Sequence, residues 1–240
     1  MNVTSDKNGK LFVVSTPIGN LEDITFRAIE VLKSVDRIAA EDTRRTKLLL
    51  KRFNISKPLI SYHDFNKQRR SAQILDHISK GESIGLVCDA GTPGISDPGY
   101  FLISQAIYHS ITIVPIPGPS AILTGLSVSG LPTDAFVFEG FLEARASKRK
   151  KQLELLKDEK RTIIMFESPH RILKSLEMIL NILGNRQICI ARELTKIYEE
   201  WIRGDVETVL SQLKKRKSIK GELTLIIRGK GKRSKKEIND

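Results

Sequence analysis

The residues Cys88-Asp-Ala-Gly-Thr-Pro-Gly-Ile-Ser-Asp-Pro-Gly-Tyr100 crowd three glycines, two prolines and two aspartates into one segment, directly after an apolar, β-rich run. Helix and strand are both excluded here, because glycine and proline interrupt either ladder. Gly91, Gly94 and Gly99 permit positive φ and let the backbone approach a ligand closely, while Pro93 and Pro98 stiffen the loop. A connection between strand and helix normally needs only about 2–6 residues. A longer, rigid loop at the carboxyl end of a strand is suited to holding a ligand; the plainer alternative is a tight connection that holds nothing. The phosphate-binding pattern GxxxxGK followed by Ser or Thr and the dinucleotide pattern GxGxxG are both absent, which argues against NTPase and dehydrogenase chemistry. A second candidate, Ser15-Thr-Pro-Ile-Gly-Asn-Leu-Glu-Asp-Ile-Thr25, is by itself equally well read as a simple turn.

These loops need strands and helices to position them. Leu11 to Ser15 reads as a strand, and Asp23 to Val35 shows apolar residues at helical spacing. The pattern recurs, with strands predicted at 37–40, 84–88 and 111–116 and helices at 43–53 and 100–109. Alternation of this kind predicts an α/β fold with a mainly parallel sheet covered by helices. Ile116-Pro-Gly-Pro-Ser120 is the densest turn segment in the middle of the chain, and Ser120 can start a helix through Leu126, so the domain junction is placed there. The second half predicts strands at 136–141, 161–166, 187–191, 198–203 and 222–227, with helices around 148–156, 171–183 and 206–214. The expected layout is an extension over 1–10, α/β domains over 11–117 and 118–229, and a basic tail over 230–240. Two α/β halves predict a ligand cleft between them.

Lys and Arg exceed Asp and Glu by 40 to 28, a net charge of +12, which points to an anionic partner. The cations gather at Arg44-Arg45-Thr46-Lys47, Lys67-Gln68-Arg69-Arg70, Lys148-Arg149-Lys150-Lys151, Lys214-Lys215-Arg216-Lys217 and Arg228 to Lys236. Any one cluster is adequately explained as a solvated face, but five together favour nucleic acid. Cys88 and Cys189, the only cysteines, lie in apolar runs, and the histidines lack ligand spacing, so neither disulfide nor metal is expected. No apolar run approaches the roughly 20 residues of a membrane span, and Met1 to Lys10 has no apolar leader core, so the expectation is a soluble, cytoplasmic protein.

Six segments carry a resemblance to a known family: Ser15-Thr-Pro-Ile-Gly-Asn-Leu21, Glu41-Asp-Thr-Arg-Arg45, Asp89 to Gly99, Pro117-Gly-Pro-Ser-Ala121, Phe166-Glu-Ser-Pro-His-Arg171 and Ala191-Arg-Glu-Leu-Thr-Lys196. In this order, across roughly residues 11–230, the chain resembles the ribosomal RNA small subunit methyltransferase I family of the tetrapyrrole methylase superfamily. The resemblance implies two α/β/α domains with S-adenosylmethionine in the cleft between them, a homodimer and no metal. It also implies 2′-O-methylation of a cytidine, nucleotide 1402, at the decoding centre of 16S rRNA in the small ribosomal subunit. Carried over by motif, Gly91, Thr92, Pro93, Gly94 and Ile95 line the cofactor with Ile18 nearby, Ser120 and Ala121 meet it from the linker, and Phe166 and Thr224 close over its adenine side.

A ribose hydroxyl is a very weak acid, so its attack needs a base or a cation that stabilises developing charge. The candidates are Glu41 and Asp42, and Arg192, Glu193 and Lys196. Asp42 before Thr43 is equally an ordinary helix N-cap. A lysine of lowered pKa beside a carboxylate suits the task, whereas a surface ion pair does not. RNA binding falls to Arg44, Arg45, Lys148, Arg149, Lys150 and Lys151, with Tyr62, His63 and Phe65 either stacking an unpaired base or packing within the protein. Two other readings stay open: a methylase of the same fold acting on a small molecule, and a basic RNA-binding assembly factor without catalysis.

Overall fold

The structure, a computed structural model, describes residues 9–231. Its contacts divide the chain into two compact units, the first ending at Ser120 and the second beginning at Ala121.

The first unit alternates strand and helix throughout: β1 (Leu11–Val14), α1 (Phe26–Ser34), β2 (Arg37–Ala40), α2 (Thr43–Arg52), β3 (Leu59–Ser61), α3 (Lys67–Ser79), β4 (Ile84–Val87), α4 (Gly99–Tyr108) and β5 (Ile113–Ile116). A short 3-10 turn, Leu21–Asp23, precedes α1. The five strands form a wholly parallel sheet in the order β3-β2-β4-β1-β5. β4 is buried along its full length, as expected of a central strand with helices on both faces. The two faces use alternate residues. Ile38, Ala40 and Val87 pack with Leu32 of α1 and Leu50 of α2; Ala39, Ile84 and Leu86 pack with Ile74 of α3 and Leu102 of α4. Local chemistry sets the helix starts, with Thr25 accepting from the Ala28 amide and Asp42 from that of Arg44.

The second unit comprises α5 (Ala121–Ser127), β6 (Phe136–Phe141), α6 (Ala146–Leu155), β7 (Thr162–Glu167), α7 (Ile172–Leu183), β8 (Gln187–Arg192), β9 (Glu200–Asp205), α8 (Val206–Lys214) and β10 (Leu223–Ile227). Its sheet, in the order β6-β7-β10-β8-β9, is mixed, unlike the wholly parallel sheet of the first unit. Of the paired neighbours only β6 and β7 are parallel; β10 runs antiparallel to both its neighbours, and β9 antiparallel to β8. The cause is the connection from β8 to β9, which contains no helix and returns directly as a hairpin. Along β10, Leu223, Leu225 and Ile227 join the core with α6, α7 and α8. On the opposite face, Gly125 of α5 lies against β10, where an added Cβ would stand 3.4 Å from both Thr224 Cγ2 and Ile226 Cδ1. Each unit is therefore a sheet with helices on both faces, the α/β/α pattern expected.

Candidate functional site

In a parallel sheet every strand releases its chain at the same edge, and open α/β sheets bind ligands there. In the first unit that edge carries Ser15 to Gly19 after β1, Glu41 and Asp42 after β2, Tyr62 to Asn66 after β3, the glycine-rich loop after β4, and Pro117 to Ser120 after β5.

The glycine-rich loop is fastened on three sides. Thr16 and Gly91 exchange backbone hydrogen bonds of 2.9 and 3.0 Å, the Thr16 hydroxyl donates to the Cys88 carbonyl at 3.1 Å, and the Ser15 and Thr92 hydroxyls are 2.9 Å apart. Gly91 and Gly94 adopt φ of +82° and +91°, which only glycine takes readily. A Cβ built on Gly91 would meet Ile18 Cγ2 at 3.7 Å and the Pro119 carbonyl at 3.9 Å, so the loops after β1, β4 and β5 pack together at this buried glycine. Gly118 has a different reason: a Cβ would lie 2.9 Å from that of Ser15, so the loops after β1 and β5 meet only because it has none. Asp97 accepts from the Gly94 and Gly99 amides at 2.7 and 2.8 Å, folding the second half of the loop onto the start of α4.

The loops after β2 and β4 hold each other reciprocally. The Asp42 amide donates to the Asp89 carboxylate at 2.9 Å, and the Asp89 amide donates to Glu41 at 3.3 Å. Asp89 also pairs with Arg45 at 3.3 Å. Asp42 proves to be the N-cap of α2, and hydrogen bonds from the Arg44 side chain and amide hold its carboxyl far below the ordinary range. Glu41 differs. Burial raises its carboxyl above the usual value; the Asp89 amide pulls it back in part, and the negative charges of Asp89, Asp97 and Asp64 push it up again.

The aromatic candidates separate. Tyr62 is 1% exposed and donates to the Pro98 carbonyl at 3.2 Å, so it braces the glycine-rich loop and has no face free for stacking. His63 is half-buried, whereas Phe65 is 99% exposed.

In the second unit, Phe166 lies between Phe138 and Phe141, with ring centroids 5.1 and 5.3 Å away, and pairs across the ladder with the buried Thr224. The next residue, Glu167, was not singled out from the sequence. Its buried carboxylate accepts from Arg171 at 2.7 and 3.0 Å, from the Ser168 amide at 2.6 Å and from the Ser175 hydroxyl. Glu167 ends β7 and Arg171 caps α7, so helical spacing gives no signal for this pair, which forms only when the strand-to-helix turn folds.

The acid–base candidates of this unit are committed to ion pairs. Arg192 donates to Glu200 at 2.8 Å and to the Lys220 and Tyr198 carbonyls at 3.1 and 3.0 Å. Glu200, bonded by Arg216 and then by Arg192, is held down at about 2. Glu193 accepts from the Glu222 amide and from Lys196, each at 2.9 Å, and its carboxyl is lowered, first by that amide and then by the lysine. Lys196 overturns the lowered-pKa expectation: burial pulls its ammonium down, but hydrogen bonds and charge from Glu193 and Glu222 outweigh this and raise it.

Of the expected RNA contacts, Arg44, Arg45, Lys148, Lys150 and Lys151 are exposed. Arg149 is not: it is 4% exposed, and its guanidinium turns inward to the Glu143 carbonyl at 3.2 Å. Residues 1–8 and 232–240, which hold most of the expected extension and basic tail, lie outside the described residues. Both cysteines are buried, which raises their thiols. Among the described residues no cluster of three or more His, Cys, Asp or Glu could hold a metal, and no helix is long and apolar enough to cross a membrane.

Residues 10–210 match the family model for tetrapyrrole (corrin/porphyrin) methylases. A relative from Halalkalibacterium halodurans, named ribosomal RNA small subunit methyltransferase I, is 50% identical across 97% of this chain and 80% of its own length. One of the same name from Thermotoga maritima is 47% identical across 92% of this chain and 99% of its own. Among solved structures, uroporphyrin-III C-methyltransferase from Thermus thermophilus, complexed with S-adenosyl homocysteine, superposes with a TM-score of 0.64 at 15% identity, covering 91% of this chain and 97% of that one.

Proposed function

The chain belongs to the tetrapyrrole methylases and, within them, to the ribosomal RNA small subunit methyltransferase I family, and on that premise we propose that it methylates the ribose 2′-oxygen of a cytidine in the decoding centre of 16S rRNA. S-adenosylmethionine is the methyl donor. The observation that carries the reading is the convergence of the β1, β4 and β5 loops at Gly91, on the carboxyl edge of the parallel sheet where such folds bind ligands. Those residues fit an adenosyl ligand, which needs apolar contact and backbone hydrogen bonding more than charge. Ile18 and Ile95 supply apolar surface, Gly91, Thr92, Pro93 and Gly94 form the loop proposed to hold the ligand, and Ser120 completes the proposed contacts of the first unit. When bound, the cofactor supplies a methyl group activated by a sulfonium.

Positioning provides much of the acceleration in such a displacement, and the reciprocal bonds between the β2 and β4 loops hold Glu41 beside the glycine-rich loop. In this reading Glu41 accepts the proton of the 2′-hydroxyl. A carboxylate raised by burial is a stronger base than an exposed one, and Asp42, Glu193 and Glu200 are all lowered by their partners. Arg44, Arg45, Lys148, Lys150 and Lys151 contact phosphates. In the same proposal the protein works in the cytoplasm on small ribosomal subunits and as a homodimer, and the apolar strip of Tyr100, Ile107 and Tyr108 along α4, 72, 65 and 80% exposed, supports the self-association alone.

The test is transfer of labelled methyl to small subunits from cells lacking the modification, with the product nucleotide mapped by mass spectrometry. A 2′-O-methylcytidine in the decoding region is the expected product. Cofactor binding without transfer to RNA, or methylation of a base instead of a ribose, would sink the proposal.

A further inference from the structure

The loop between β3 and α3 presents Phe65 almost wholly to solvent, at 99% exposure, on a turn that is itself tightly bonded. Asn66 builds that turn: its side chain accepts from the His63 amide at 2.9 Å, donates to the Ser61 carbonyl at 3.2 Å and lies 3.0 Å from His63 Nε2, while its amide donates to the His63 carbonyl at 2.9 Å. Asp64 and Lys67 close it from outside with a 2.9 Å ion pair. His63 meets the Phe65 ring edge-on at 6.1 Å. An unneeded phenylalanine on a loose loop could fold back onto apolar surface; this one is held away from it by its neighbours' hydrogen bonds.

Its location is equally specific. β3 is the edge strand beside β2, and neighbouring strands lie about 4.8 Å apart, so the loop carrying Phe65 leaves the sheet next to the loop carrying Glu41. The Tyr62 amide bonds the Ala40 carbonyl at 2.8 Å, immediately before Glu41, and the Tyr62 hydroxyl reaches the Pro98 carbonyl of the glycine-rich loop. The charge of Asp64 is felt at Glu41. Cations neighbour the ring in sequence and on the adjacent strand: Lys67, paired with Asp64, and the exposed Arg69 open α3, and the exposed Arg44 and Arg45, paired with Asp42 and Asp89, open α2.

We propose that Phe65 is the stacking platform for the unpaired base of the methylated nucleotide or its immediate neighbour, with Lys67, Arg69, Arg44 and Arg45 meeting the flanking phosphates. This rests on the RNA-methylating reading above. An exposed aromatic ring with solvent-accessible arginines on its own and the neighbouring element matches single-stranded nucleic acid, where bases stack on aromatic faces and phosphates pair with cations. A protein partner of matching surface would need acidic residues around an apolar pocket; a base with its phosphates has both features in one unit. Phe65 sets the position of the strand at the loop edge, and Glu41 meets the ribose beside it.

The experiment compares Phe65→Ala, Phe65→Leu and Phe65→Trp in steady-state methylation of unmodified small subunits, with S-adenosylmethionine affinity by calorimetry and oligomeric state by light scattering measured on each. Loss of one stacked base is expected to raise KM for subunits about ten-fold in the Ala and Leu variants, with cofactor affinity and oligomeric state unchanged, and Phe65→Trp should retain wild-type KM. A Leu variant that behaves as wild type would show that apolar bulk suffices and would overturn stacking. Dissociation of a dimer in the Ala variant would assign the ring to a contact between copies, which also overturns it. If the wild-type protein transfers methyl to subunits and all three variants match it, this inference fails while the function stands; if the wild type transfers none, both fall together.

Discussion

Glu41 is a carboxylate whose buried surroundings disfavour its charge. Because its pKa is raised in the folded protein, the protonated form is the one the fold favours. Its contribution to stability is complete below the unfolded carboxylate value and is lost as pH rises through the raised value. Near neutral pH the charged side chain therefore lowers stability, which makes sense if deprotonated Glu41 is required for the reaction. Glu41→Gln, a mimic of the protonated form, should melt at a higher temperature than wild type at pH 7 and show a smaller difference at pH 4. The same variant should lose about 10²- to 10⁴-fold in single-turnover methyl transfer, and with it the limb of the wild-type profile that rises with pH above the ordinary glutamate range. Lys196→Met provides the contrast. Lys196 is bonded to two carboxylates, so its loss should leave that limb in place; a variant in which the limb vanishes would transfer the role of base to Lys196.

At the scale of elements, the site depends on loops that side chains hold in shape. Asp97 is the clearest case, since one carboxylate oxygen accepts from both Gly94 and Gly99. Asp97→Ala leaves two amides without that acceptor, a loss of roughly 1–3 kcal/mol for each where water does not replace it. We expect S-adenosylmethionine to bind about ten-fold more weakly by calorimetry, with Asp97→Asn recovering much of the affinity because its side-chain oxygen can accept as well. Unchanged affinity in Asp97→Ala would mean that the loop keeps its form without this clamp. The loop itself was legible in the sequence because its glycines and prolines exclude regular structure, and so were β1, β2, β4 and β5 of the first unit, which read as short apolar runs. β3 was missed: it has only three residues, too few for a periodic signal. α3 was missed because its first turn is Lys67-Gln-Arg-Arg70, and its buried positions include Ser71 along with Ile74 and Ile78. The direction of β9 and β10 was hidden for a different reason, since pairing across a sheet is long-range and alternation along the chain does not encode it. Within the site, the pattern found the glycine-rich loop but not Asp97 or the Ser15 and Thr92 hydroxyl pair, whose roles emerge only when distant strands come together.

Over the whole molecule, a charge of +12 fits a polyanionic substrate only where the cations are free to meet it. Sequence treats Lys148, Arg149, Lys150 and Lys151 as one patch, but the fold of α6 divides it. The three lysines are exposed, while Arg149 is buried with its guanidinium on a backbone carbonyl. Substitution therefore has two different consequences. Replacing Lys148, Lys150 and Lys151 together by Ala should lower affinity for small subunits and flatten its dependence on salt, by about two units in the slope of log K against log salt if each lysine neutralises one phosphate. The melting temperature should barely change, because isolated surface charges contribute little to folding. Arg149→Ala should do the reverse, lowering the melting temperature by several degrees through lost packing and an unpartnered carbonyl while leaving the salt slope of the folded fraction intact. Salt titrations of subunit binding on the two variants decide between these outcomes. Equal slopes in wild type and the triple variant would remove α6 from the RNA-binding surface and leave that work to the arginines of α2 and the start of α3.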